Sequence, residues 1–110
     1  MTPYEMALEE AKNYTDKDAY VSDLSLSSVW GDLDGAEEIP AARIEWLSNI
    51  WDALHRSVRD IASDAGMSQR ALARRFSVPY RTMEDWCRGA SGCPVYVRLM
   101  MQECLCLYER

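Results

Sequence analysis

Tyr80, Arg81, Thr82 and Asp85 are the residues whose types and spacing first suggest chemistry. They fall on the outward face of a short helix read over about 79–88, because Met83 and Trp86 supply its inward face. Hydroxyls, a guanidinium and a carboxylate on one helical face can hydrogen-bond base edges. An α-helix fits the major groove of DNA, and its first turns meet the bases. Asp85 can accept a hydrogen bond from cytosine N4, or it can repel the phosphate backbone and lower non-specific affinity. Glu84 stands at helical spacing from both Arg81 and Arg88, so it can pair with either.

These side chains need a scaffold, and the flanking sequence reads as one. Ser68 can cap a helix over about 69–76, with Met67 and Leu72 placed as a hydrophobic staple. Ser77-Val78-Pro79 is a tight turn, and Pro79 presets the start of the next helix. Gly89 ends that helix, "GASGCP" is a loop, and Pro94 opens a last helix to about 108. Leu72, Ala73 and Phe76 face inward on the first short helix, and Val78 plugs the turn. Two short helices joined in this way form a helix-turn-helix unit.

Upstream, Thr2-Pro3-Tyr4-Glu5 has the form of a capping box and predicts a helix over about 3–14. Thr15 with Asp18 repeats the signal and predicts a second helix over about 16–29. "GDLDGAEEIP" (31–40) reads as a solvated loop. Beyond Pro40, the residues Ile44, Leu47, Trp51, Leu54, Val58, Ile61 and Ala65 step alternately by 3 and 4, an a/d seam. Trp46 and Ile50 broaden that stripe, which favours one long helix packed in its own domain over a coiled coil. Ser57 offers a cap that would break the helix near His55. The length fits one domain, 1–110, with an acidic helical extension over 1–40 and a helix-turn-helix bundle over 41–110.

The stretch "GMSQRALARRFSVPYRTMEDWCRG" resembles the Xre-type, phage-repressor and Cro-like helix-turn-helix family. Gly66, Ser68, Gln69, Leu72, Ala73, Phe76, Val78, Thr82, Trp86 and Gly89 carry the likeness, and Met83 is a conservative fit. The resemblance covers about residues 57–108 and implies an all-α helical bundle of the lambda-repressor kind. It also implies site roles. Gln69 would bond a phosphate or brace the reading helix. Tyr80, Arg81 and Asp85 would approach base edges, with Arg81 suited to the two acceptors of guanine. Thr82 would touch the backbone or a base. Arg88 and the Gly89–Gly92 loop would meet flanking phosphates, and Arg70 and Arg74 would add charge along the backbone. Two departures stand out. Ser77 replaces the usual turn glycine, where a left-handed backbone is expected, and Cys87 replaces the usual glutamate.

Composition bounds the remaining alternatives. The net charge is -6, unevenly spread: residues 1–64 hold 5 basic and 14 acidic side chains, residues 65–110 hold 7 and 4. No apolar run approaches the roughly 20 residues of a membrane span. The acidic, amphipathic start is unlike an export signal, so a cytoplasmic location is expected. Cys87, Cys93, Cys104 and Cys106 match no common zinc spacing, so no metal or cofactor is expected, and the thiols read as reduced. No nucleophile elbow, phosphate loop or metal-binding histidine pair is readable, so the chain is not expected to be an enzyme. The function expected is sequence-specific binding of double-stranded DNA by a transcriptional regulator. The alternative is a protein-interaction module, antitoxin-like or a phage inhibitor, whose acidic N-terminal surface meets a basic protein partner. The last helix is apolar on more than one face, so it either forms a homodimer interface or is wrapped by the N-terminal helices.

Overall fold

The computed structural model describes residues 1–31, 39–89 and 92–109. Most of the expected 31–40 loop, and Ala90 and Ser91 of the loop after Gly89, lie outside the described residues. Among the described residues the chain is all-α. Its helices are α1 (Pro3–Glu10), α2 (Lys17–Ser25), α3 (Ala41–His55), α4 (Val58–Asp64), α5 (Gln69–Arg75), α6 (Tyr80–Arg88) and α7 (Val95–Cys104). Short 3-10 turns follow α1 and α2. No helix among the described residues is long and apolar enough to cross a membrane. The residues divide into two compact units, Met1–Asp52 with Glu109, and Ala53–Tyr108.

In the first unit, Thr2 caps α1 as read, but the Glu5 carboxylate takes the Thr2 hydroxyl rather than the Thr2 amide of a full capping box. The hydroxyl accepts from the Glu5 amide at 3.1 Å and donates to the Glu5 carboxylate at 3.2 Å. The second cap differs from the expectation. Asp16, not Thr15, starts α2, its carboxylate accepting from the Ala19 amide at 3.0 Å. α2 also stops at Ser25 rather than running to 29. Ser27 accepts from the Val29 amide instead and starts a 3-10 turn. Met6, Ala7, Tyr20, Leu24, Leu47, Ile50 and Trp51 form the buried set of this unit. Tyr20 is fully buried and donates to the Ala7 carbonyl at 2.7 Å, and burial pushes its hydroxyl up to about 12.

The long apolar stripe is not one helix. α3 ends at His55, and Ser57 caps α4 by accepting from the Asp60 amide at 3.1 Å. Ile44, the first residue of the seam, is 42% exposed. A heptad count cannot see a two-residue interruption that keeps the apolar spacing on either side, whereas a serine side chain that satisfies an orphan amide can create one.

The second unit packs α4, α5, α6 and α7 around Val58, Ile61, Ala62, Leu72, Ala73, Met83 and Met101. Phe76, Val78 and Trp86 pack against this cluster, half-buried, on the side the sequence assigned to them. α7 is shorter than read, ending at Cys104, and it turns Leu99 and Met101 inward. A polar seam ties α7 to the end of α3. Arg98 donates to the Leu54 and Arg56 carbonyls at 3.1 and 2.8 Å. Gln102, fully buried, donates to the Ala53 carbonyl at 2.8 Å and accepts from Arg56 at 2.5 Å. Helix C-termini leave carbonyls without partners, and here two α7 side chains satisfy them.

Candidate nucleic-acid interface

α5, the turn after it and α6 set the geometry of the outward face. Ser68 caps α5, accepting from the Ala71 amide at 3.0 Å. The chain then reverses through Ser77 at φ 54, with the Val78 amide reaching back to the Ala73 carbonyl at 2.9 Å. This is the left-handed position expected where a glycine is usual. It closes the C-terminus of α5 and lets Pro79 open α6. Small Ala73 is buried where α5 and α6 meet. Gly89 at φ 78 ends α6.

Ser77 supplies a measurable consequence. A left-handed residue with a Cβ costs about 1–2 kcal/mol, against the extra unfolded-state freedom of glycine. Ser77→Gly therefore stabilises the protein by about 0.5–1 kcal/mol. Urea unfolding reads this as a higher midpoint at unchanged slope. A lower midpoint would show that the serine side chain makes a compensating contact.

α6 presents Tyr80, Arg81, Glu84, Asp85 and Arg88 around one open depression of about 410 Å³. Arg81 is exposed and has no ion-pair or hydrogen-bond partner among the described residues. Arg88 pairs with Asp85 at 2.6 Å. The expected pairing of Glu84 with Arg81 or Arg88 is therefore not the one formed. Both carboxylates lie within helical reach of Arg88, and the i,i+3 partner takes it. Asp85 thus holds Arg88 while keeping a second carboxylate oxygen. Tyr80 is half-buried against the core cluster, and Arg70 of α5 lies over its ring at 4.2 Å from the centroid. Such stacking fixes both side chains, since the ring quadrupole attracts the guanidinium.

The other residues singled out in the sequence fall around this face. Gln69 is half-buried at the start of α5, Thr82 half-buried on α6, and Arg74 exposed in the last turn of α5. Arg75, also exposed in that turn, lies 6.0 Å from the Phe76 ring centroid. Two arginines at a helix C-terminus complement its dipole. The Arg70–Tyr80 stack spans two helices and a turn, so residue spacing does not reveal it. Arg59 of α4 belongs to the same surroundings. It lies near enough to Cys87 to oppose, in part, the upward push that burial gives the thiol. Residues 53–108 carry eight arginines against five carboxylates, net +3, whereas 1–52 carry three basic and twelve acidic side chains, net -9.

A capped helix, a left-handed turn and a second helix with an open polar face define a helix-turn-helix unit. Residues 51–91 match the model of a helix-turn-helix family, the Psq domain, so this stretch is similar to that family. No curated protein and no solved structure matches the chain.

Proposed function

We propose that the second unit binds double-stranded DNA sequence-specifically, with α6 in the major groove, as a transcriptional regulator of the Xre type. The observation that carries this reading is the unpartnered Arg81 on the exposed face of α6, beside a Tyr80 held by Arg70. A guanidinium presented without an intramolecular partner is available to the paired acceptors of guanine. Arg70 and Arg74 supply phosphate contacts, Arg88 adds one only when Asp85 releases it, and Gln69 and Thr82 anchor or brace the helix. The similarity of residues 51–91 to a helix-turn-helix family supports the DNA-binding part of this reading. The test is selection of bound duplexes from a random pool at low and moderate salt. Enrichment of a guanine-containing motif supports the reading, and a pool that stays random at both salts refutes it.

Asp85 shapes this activity. Its ion pair withdraws Arg88 from phosphate and sets a negative charge beside the DNA. Asp85→Asn frees Arg88. We expect it to raise affinity for unrelated duplex several-fold near 0.1 M salt and steepen the log–log salt slope by about 1. Fluorescence anisotropy on an unrelated duplex measures both. Weaker non-specific binding by the variant would mean that Asp85 positions Arg88 rather than withholding it.

A second reading concerns the first unit. Its charge of three bases against twelve acids suits a basic protein partner. An apolar groove of about 540 Å³ lined by Tyr4, Trp30 and Trp46 adds aromatic contact area of the kind interfaces use. An antitoxin-like or inhibitor role would show as a basic protein that co-purifies at low salt and dissociates at high salt.

A further inference from the structure

We infer that the open cavity at the end of α6 is a binding site for a small aromatic carboxylate. It measures about 300 Å³ and is lined by residues of the second unit only. Ser57 lines it from the α3–α4 junction, Trp86 from α6, and Cys93 and Arg98 from the start of α7. Among the described residues no carboxylate lines it, in a chain with 18 acidic side chains.

The lining is rich in donors that lack acceptors. Arg98 is half-buried and forms no ion pair among the described residues. Its Nε donates to the Cys93 carbonyl at 3.4 Å, and one terminal nitrogen donates to the Leu54 and Arg56 carbonyls at 3.1 and 2.8 Å. The other terminal nitrogen has no acceptor among the described residues. Ser57 accepts from the Asp60 amide, but its own hydroxyl hydrogen is likewise unclaimed. So is the indole N–H of half-buried Trp86. No buried polar side-chain atom among the described residues lacks a partner, so these three donors reach solvent. His55 also lines the cavity but already interacts with another residue, so it is not counted with them. The charge of Arg98 is felt at the cavity wall, where it opposes in part the upward push that burial gives the Cys93 thiol.

Unclaimed donors around a half-buried cation select an anion, because hydrogen bonds to a charged acceptor are the strong ones. The number of charges selects a carboxylate. Arg98 balances one negative charge, whereas a phosphate dianion would bring a second that no other lysine or arginine lining the cavity meets. The Trp86 ring, packed on one side against the core cluster, offers an aromatic body a surface to stack on. The volume lies at the small end of ligand pockets and suits one ring system. The site needs no DNA; only its consequence, a brace on the end of the reading helix, rests on the DNA-binding reading.

Heteronuclear NMR of the full, isotopically labelled chain without DNA tests it. The probe is sodium benzoate, with benzamide as its uncharged counterpart and acetate as its ringless one, all at constant ionic strength. Trp86→Phe assigns the Trp86 indole signal. Benzoate should shift that signal saturably with a Kd on the order of 1 mM, and the two counterparts should bind at least tenfold more weakly. Arg98→Gln keeps a donor for the carbonyls but loses the charge, and it should weaken benzoate at least tenfold. If circular dichroism shows that variant unfolded, Ser57→Gly decides. Glycine is tolerated at a helix cap, and the lost hydroxyl should weaken benzoate about fivefold. No saturable shift up to about 20 mM benzoate, equal binding of benzamide or acetate, or undiminished binding by folded Arg98→Gln or by Ser57→Gly would overturn the inference. Failure here would leave DNA reading by α6 intact, because no step of the test contains DNA.

Discussion

Replacing Gln102 by methionine lowers the unfolding free energy by about 2–3 kcal/mol. Methionine nearly matches the volume and flexibility of glutamine, so little of the loss comes from a cavity. The loss is polar. The Ala53 carbonyl loses the 2.8 Å donor that Gln102 supplies, and Arg56 loses one acceptor while keeping Asp64 at 3.1 Å. A buried carbonyl left without a partner costs about 1–3 kcal/mol, and a hydrogen bond to a charged group is worth about 1.5–3 kcal/mol. Against a typical stability of about 5–15 kcal/mol, the variant remains folded but is visibly weakened. Urea unfolding monitored by circular dichroism measures it. A change below about 0.5 kcal/mol would mean that water replaces the side chain at the end of α3.

Arg81→Ala is the variant with the largest expected effect on function. A bidentate arginine–guanine contact discriminates by about 1–3 kcal/mol, so the variant should bind its selected duplex about 10- to 100-fold more weakly. Its affinity for unrelated duplex should fall far less, because on the proposed reading Arg70 and Arg74 would still meet phosphate. Anisotropy titrations on selected and scrambled duplexes separate the two effects. Equal losses on both would make Arg81 a phosphate contact rather than a base contact.

The two variants also mark where the sequence is and is not transparent. Features made by a side chain acting on its own neighbourhood were readable. Thr2, Ser57 and Ser68 each bond an amide three residues on, and that local geometry is written in residue type and spacing. The inward set of Leu72, Ala73, Met83 and Trp86 follows from helical period, and Phe76 and Val78 close the set at the end of α5 and in the turn. The left-handed turn at Ser77 was legible only through the family resemblance, which puts a glycine at that position. Competition between near-equal local options was not readable. Asp16 outranks Thr15 as a cap, and Asp85 outranks Glu84 as the partner of Arg88. The seam from Ile44 to Ala65 looked continuous because periodicity is blind to a short break. Contacts between distant residues were least visible. Gln102 meets a carbonyl 49 residues away, and Arg70 stacks on a ring across a turn. Nothing in the spacing of either pair announces the contact.

The division of charge has a functional reading as well. A unit of net +3 with one arginine tied to Asp85 should grip phosphate weakly and depend on base contacts. On the proposed DNA-binding reading Asp85 would trade non-specific affinity for selectivity, a balance that the Asp85→Asn titration measures directly.

The claim that α6 reads the major groove through Arg81 is tested most directly by removing one acceptor from the DNA. Each guanine of a selected duplex is replaced in turn by 7-deazaguanine, which lacks N7, and affinity is measured for the native chain and for Arg81→Ala. We expect one guanine per bound copy whose replacement weakens the native chain about tenfold and leaves Arg81→Ala unaffected. If no position weakens the native chain, or if the same position weakens both proteins equally, Arg81 does not read guanine in the major groove.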